Sequence, residues 1–249
     1  DGILNRTLAV RCGMTEVFRI CDFGQLSRMR AKTFEEKEPE TIRWIAGFPS
    51  DARFLDVGAN VGLFSLYAAT QSCEVVAVEP DALNFALLNQ NLRLNQDAIG
   101  DRIRGFCVAL HSDAKISTLN VTSGEWGSAL SSFDNETDFS GRVFTPKYRQ
   151  GSIGMRLDDF LAGLPFRPTH IKIDVDGNEG EVLAGASRTL QDSELRSILI
   201  ELDERRPDYT ICIGAITKAE FVLAEKTHSE IYSTGDFSTS YNHIFVRSR

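Results

Sequence analysis

The sequence predicts an α/β protein built on a seven-stranded, mostly parallel sheet with an antiparallel last strand and helices on both faces. Three observations carry that expectation. From Arg53 to Leu202, short apolar runs alternate with amphipathic stretches of helical period, the pattern of βαβ units. A glycine-bearing turn joins the first apolar run to the helix after it. Near the end, Phe221 to Lys226 and Tyr241 to Arg247 lie too close together for a crossover helix, so they should pair antiparallel.

Composition fits such a fold. Of 249 residues, 42% are hydrophobic and 25% charged, close to globular averages, which excludes a disordered or collagen-like chain. One domain over 1–249 is expected. Lys and Arg total 27 against 35 acidic residues, a net charge of −8 with no basic run, so no nucleic-acid partner is expected. The five cysteines are odd in number, widely spaced and free of C-x-x-C, which argues against a disulfide framework or a zinc cage and for a reducing cytoplasm. No apolar run approaches ~20 residues, so no membrane partner is expected. A chain opening on Asp1-Gly2 is expected to have lost residues before it. Glycosylation sequons at Asn5, Asn120 and Asn135 carry little weight without a secretory context.

In chain order, residues 1–50 read as an N-terminal extension. RTLAVRC and EVFRICD flank Gly13-Met14-Thr15 as a β ribbon, and Lys32 to Phe48 holds a helix started near Pro39 and closed by Gly47 and Pro49. Residues 51–111 form a cofactor-binding half with strands Arg53 to Gly58, Glu74 to Glu79 and Arg102 to Leu110. Its helices are Val61 to Gln71 and Asp81 to Asn95, the latter capped by Asp81. Residues 112–154, rich in Ser, Thr, Gly and aromatics, break the rhythm. They read as an excursion of β hairpin and loop, a candidate substrate lid with KISTLNVT as one strand. Residues 155–249 complete the sheet with strands Thr169 to Val175 and Ser197 to Leu202, a helix Glu179 to Leu190, a polar helix-like region and the terminal pair.

The chemistry concentrates at strand ends. In FLDVGANVGLF, Asp56 closes the first strand, and Gly58 and Gly62 allow a tight turn and close approach of a ligand to the following helix. The dinucleotide fingerprint is not met, because Asn60 stands where its second glycine would admit a pyrophosphate. Asp56 would repel a diphosphate and suit a cationic ammonium and sulfonium. Glu79 ends the second strand about 20 residues beyond the glycines, where a carboxylate can accept both ribose hydroxyls. Ala109 and Leu110, near the end of the third strand, could bracket an adenine. An ordinary strand-to-helix turn and a solvated glutamate are the bland alternatives.

FLDVGANVGLFSLYAA, VVAVEPDALNFALLNQNLRLN, VALHSDA, MRLDDFL and HIKIDVDGNEGEVLAGA together resemble the FkbM-type S-adenosylmethionine-dependent methyltransferases, from about Glu38 to Asp203. The ribbon lies outside that resemblance, and Asp176 falls where the family usually carries an acid. The resemblance implies a class I methyltransferase Rossmann-like fold and methyl transfer, mostly to oxygen, on small natural products, sugars or lipids. It implies S-adenosylmethionine as cofactor and S-adenosylhomocysteine as product. The cofactor contacts it implies are Asp56, Gly58, Asn60, Gly62, Glu79 and the backbone near Ala109; Leu110 beside it and Asp174 at the end of the fourth strand complete the expected cofactor set.

On the acceptor side, the period of two puts Lys172 and Asp174 on one face of the fourth strand, at the sheet edge where ligands bind. Glu201 and Asp203 end the neighbouring strand. The candidate catalytic set is Asp174, Glu201 and His228, with His243 in reserve; His170 starts its strand at the wrong edge and reads as structural, and His111 lies on the adenine side. Lys172 either holds Asp174 or acts directly. DVDGN looks like the start of a calcium loop, but Glu179 occupies its sixth position and Gly185 its twelfth, so no metal is expected; magnesium on Asp174 and a second acid is the alternative. Trp126, Phe133, Phe139, Phe144 and Tyr148 wall an acceptor pocket or form the excursion's own core. Absence of Pro-Pro-Tyr, Pro-Pro-Phe and Pro-Cys pairs favours an oxygen acceptor over nitrogen or carbon. The leading reading is thus an O-methyltransferase acting on a small hydroxylated molecule. A nucleotide-dependent oxidoreductase and a non-catalytic cofactor-binding protein on the same fold are the alternatives.

Overall fold

The computed structural model describes residues 6–228 and 233–248, so the sequon at Asn5 lies outside it. Strands β1 (Thr7–Cys12) and β2 (Thr15–Cys21) form the expected antiparallel ribbon. Helices α1 (Gln25–Lys37) and α2 (Pro39–Ala46) follow where one helix was expected. Proline disfavours a helical residue before it. Glu38 accordingly leaves the helix at φ −140°, and Pro39 opens α2. Helix α1 buries only Ser27 and Phe34, which is why no apolar period announced it.

The main sheet comprises β3 (Arg53–Val57), β4 (Glu74–Val78), β5 (Ile103–Phe106), β10 (His170–Ile173), β11 (Ser197–Asp203), β12 (Phe221–Thr227) and β13 (Ser240–Arg247). Its order is β12-β13-β11-β10-β3-β4-β5, parallel except that β13 runs antiparallel to both neighbours. This is the predicted architecture. Alternation along β3 sends Leu55 and Val57 to one apolar layer and Phe54 to the other. The first layer holds the apolar faces of α6 (Leu157–Ala162), α7 (Glu179–Ala184) and α9 (Tyr209–Lys218). The second holds those of α2, α3 (Leu63–Thr70) and α4 (Ala82–Leu94), with the ribbon outside them. Asp81 caps α4 as expected, accepting from the amides of Leu83 and Asn84 at 2.8 and 3.1 Å. A short α5 (Gln96–Ile99) leads into β5.

Three expectations need correction. The strand expected from Arg102 to Leu110 is two: β5 stays in the main sheet, while β6 (Ala109–Leu110) joins a second sheet. That sheet, ordered β6-β9-β7-β8, contains β7 (Lys115–Val121), β8 (Ser132–Phe133) and β9 (Tyr148–Met155), so the excursion is more than a hairpin and loop. Ala109, Leu119, Val121 and Phe133 give it a core of its own, which draws Ala109 out of line with β5. The helix expected from Glu179 to Leu190 is likewise divided, α8 (Ser187–Leu190) following α7 after a break at Gly185-Ala186. The Asn120 sequon is buried. No described helix is long and apolar enough to cross a membrane.

Candidate active site

The turn after β3 is held by the strands beside it. Gly58 and Ala59 donate their amides to the Val78 carbonyl at 2.9 and 3.0 Å, pinning the turn to β4. Gly58 has φ +81°, and a Cβ there would lie 1.9 Å from the Asp174 carbonyl oxygen, so only glycine lets β3 and β10 end this close together. Beyond this turn a cavity of about 250 Å³ opens along the carboxyl ends of the central strands.

Of the residues read as functional, Gly58, Asn60, Glu79, Ala109, Leu110, Asp174, Glu201 and His228 line this cavity. Asp56 and Gly62 do not. Asp56 is 1% exposed, accepts from Ser65 Oγ at 2.5 Å and stands opposite Lys172 in the β3–β10 register, behind the cavity wall. Gly62 is the N-cap of α3 and packs toward Leu88. His243 also fails as a reserve. It is fully buried outside the cavity, between the Tyr209 hydroxyl at 3.2 Å and the Tyr241 carbonyl at 2.9 Å, and burial pulls its pKa down. His170 lies against Phe48, ring centroids 3.9 Å apart, with its pKa lowered to about 4 chiefly by burial. Asp203 is taken up by Arg205 at 2.6 Å. The aromatics divide: Phe133 reaches the cavity, Trp126 stacks on Phe23, and Phe139 stacks on the cavity residue Phe237.

Glu79 is 6% exposed, and its two oxygens accept the backbone amides of Asn60 at 2.8 Å and Asp81 at 2.9 Å. Burial pushes its pKa up to about 8, the two amides opposing. Burial also tends to raise Asp174, but Lys172 at 2.6 Å and the charge of Lys37 outweigh it and hold the carboxyl below its ordinary range. Asp176 rises to about 6 through burial and the charge of Asp174. Glu201 is driven well above the usual range by burial, Asp174 and Glu38. Glu201 accepts from Ser240 Oγ at 3.1 Å, while His228 Nδ1 meets the Ser240 carbonyl at 3.0 Å. His228 Nε2 is buried with no hydrogen-bond partner. One serine thus joins two of the three expected catalytic residues.

Sequence reasoning missed the roof and the acceptor-side wall. Arg30 donates twice to the Gly127 carbonyl, at 3.1 and 2.7 Å. Asn60 and Asn84 both donate to the Ser128 carbonyl, at 2.7 and 2.9 Å, and Asp176 accepts the Leu130 amide at 2.6 Å. Four side chains from separate elements thereby strap the excursion across the cavity. Lys37, Glu38, Thr227 and Asn242 line it too. The one available signal was Asn84, a polar side chain on the buried face of α4 that must find partners. Among the described residues, no group of three or more His, Cys, Asp or Glu side chains is placed to hold a metal ion.

Comparison with known proteins bears on this site. The methyltransferase FkbM domain model matches residues 56–238. The chain belongs to the FkbM methyltransferase family. It is 23% identical over 192 residues to Methyltransferase 1 of Beauveria bassiana, a match covering 72% of this chain and 76% of that protein. The AMB antimetabolite synthetase AmbE of Pseudomonas aeruginosa is 28% identical over 194 residues, 65% of this chain but 9% of that protein. Among solved structures, an FkbM methyltransferase from Methylobacillus flagellatus KT superposes with a TM-score of 0.54 at 18% identity, over 79% of this chain. The match spans 44% of that protein, less than half its length. Magnesium protoporphyrin IX methyltransferase from Synechocystis PCC 6803, solved with bound S-adenosylmethionine, gives 0.50 at 12% identity over 90% of this chain and 86% of its own. The shared fold is that of the class I methyltransferases.

Proposed function

We propose that this FkbM methyltransferase transfers a methyl group from S-adenosylmethionine to a hydroxyl oxygen of a small molecule, a sugar, lipid or natural product. One observation carries the reading: a single cavity joins the glycine turn and Glu79 on the β4 side to Glu201 and His228 on the β11–β13 side, with Asp174 between them. The residues fit the cofactor. Glu79 at the end of β4 would accept the ribose hydroxyls, Ala109 and Leu110 would bracket the adenine, and the carboxyl-rich wall suits a ligand carrying ammonium and sulfonium charges. Asp56 would act through the wall, by its charge on Lys172 across the strands, instead of touching the ligand. When bound, the sulfonium supplies an activated methyl group with a good leaving group. What the chain must add is alignment and, for an alcohol, a proton acceptor.

Calorimetry with S-adenosylhomocysteine, followed by a screen of hydroxylated metabolites for methyl uptake, tests the reading, and absence of binding would overturn it. Glu79→Ala should weaken binding about 10- to 100-fold, the worth of a charge-assisted bond of ~1.5–3 kcal/mol. Unchanged affinity in a folded variant would remove Glu79 from the ribose site. The pH dependence has a definite sign. Ribose hydroxyls donate to the ionised carboxylate, so affinity should rise as Glu79 loses its proton toward pH 8. The ligand-free protein should behave oppositely. A carboxyl whose pKa is raised by folding contributes stability at low pH that is lost as pH climbs through about 8.

Methyl transfer should need no metal, since the sulfonium already provides its leaving group and the calcium-loop spacing fails at Glu179 and Gly185. A chelator should leave turnover unchanged. Activity lost to a chelator and restored by magnesium would establish the metal-dependent alternative.

A further inference from the structure

Lys172 is 1% exposed and sits one step behind the cavity wall without lining it. A buried ammonium has three donors and needs acceptors around it. One is Asp174 Oδ2, 2.6 Å from Nζ. In the strand register Lys172 lies directly opposite Asp56, whose Oδ2 is bonded to Ser65 and whose Oδ1 has no hydrogen-bond partner. The Phe64 ring, its centroid 5.1 Å from Nζ, lies against the ammonium. The arrangement is a buried cation bonded to Asp174 and acted on also by Glu38 and Asp56; Asp174 and Glu38 reach the cavity, while Asp56 stands behind it.

Asp174 stands among many like charges. Asp176 and Glu179 flank the turn into α7, Glu201 comes from β11, Glu38 from the junction of α1 and α2, and Asp56 from β3; the other cations facing it are Lys37 and Arg30 on α1. Carboxylates crowded this closely, some buried and some facing the cavity, do not all stay ionised at once. We propose that Lys172 is a positioning residue for methyl transfer: bonded to Asp174 and facing Asp56 across the strands, it selects Asp174 as the carboxylate of the cluster that stays charged and fixes it in the cavity wall. The inference rests on the reading of Asp174 as facing cofactor and acceptor. The directions of the surrounding shifts agree with it: Asp174 is held low, while Asp176, Glu179 and Glu201 are raised. Environments that push neighbouring acids apart are how a site separates a charged group from a protonated one.

The test is S-adenosylhomocysteine binding from pH 5 to 9 in the wild type, Asp56→Asn and the double variant Lys172→Met/Asp56→Asn. Lys172→Met alone leaves Asp174, Glu38 and the fully buried Asp56 without their shared cation and is expected to unfold the protein; Asp56→Asn removes the most buried of these charges. At pH 9 the double variant should bind within about threefold of Asp56→Asn. At pH 6 it should bind at least tenfold more weakly, because Asp174 then takes up a proton. Adding Asp174→Asn to both backgrounds should make their curves coincide. Superimposable pH curves without Asp174→Asn would overturn the proposal and leave Lys172 a structural residue. A wild type that binds at no pH would overturn the reading of function itself, and this inference with it. If the double variant does not fold, carboxyl-carbon NMR of the wild type decides. The Asp174 resonance, assigned by its loss in Asp174→Asn, should stay flat from pH 5 to 9, and a titration in that window would overturn the proposal.

Discussion

Gly58→Ala is expected to abolish cofactor binding and remove much of the protein's stability. A Cβ at this position would lie 1.9 Å from the carbonyl oxygen of Asp174 and 2.9 Å from its carbonyl carbon, distances that no rotamer change relieves because both atoms are backbone. The turn cannot retreat, since Gly58 and Ala59 are bonded to Val78 on the other side. The clash must therefore displace Asp174, whose side chain forms the cavity wall. Strain at φ +81° adds ~1–3 kcal/mol and overpacking a further ~1–3, against a total stability of ~5–15 for a typical domain. Gly62→Ala is the control. It shares the left-handed φ, at +85°, but its new Cβ would meet only the Leu88 side chain at 3.2 Å, so binding should survive at a cost of ~1–2 kcal/mol. Thermal melts and calorimetry with S-adenosylhomocysteine read both effects. Gly58→Ala binding within a few-fold of wild type would show that the close approach of β3 and β10 is not needed.

What could be read from the sequence was local, and what could not be read depended on long-range register. The strands β3, β4, β10 and β11 and the glycine turn announce themselves through alternation and spacing within a dozen residues. The second sheet does not. Its two-residue strand Ala109–Leu110 pairs with Gly154 and Met155, far along the chain, and so short a strand has no period of its own. Helix α1 stayed hidden because its role is polar: it brings Arg30 and Lys37 over the cavity and buries almost nothing apolar. Parity decided between the late histidines. Thr227 and Asn242 are paired across β12 and β13 and both line the cavity, so His243, one residue on, turns to the opposite face and meets Tyr209. His228, beyond the end of β12, escapes that alternation. Asp56 was misplaced by the same cause, because an acid at the end of a strand signals a ligand only if its face is known.

The base should be found among Asp174, Glu201 and His228, which the fold does bring to one cavity. An alcohol attacks poorly until its proton is leaving, so a proton acceptor must stand within hydrogen-bond reach of it. His228 is the imidazole among the three. The Ser240 carbonyl can only accept, so Nδ1 is the donor, and the neutral ring keeps its lone pair on Nε2, the buried atom without a protein partner. Glu201 is held on the same serine, through its hydroxyl, and burial together with Asp174 and Glu38 keeps it protonated to unusually high pH. If Glu201 takes the proton, turnover must climb with pH as that carboxyl ionises, and Glu201→Gln must flatten the climb. If His228 takes it, His228→Ala should cut turnover about 100- to 10,000-fold, or ~3–5 kcal/mol in the barrier. Both variants should bind S-adenosylhomocysteine within a few-fold of wild type, whereas Asp174→Asn should impair binding and turnover together. Full turnover with a flat pH profile in both Glu201→Gln and His228→Ala would mean that alignment alone drives the transfer and that neither residue is the base.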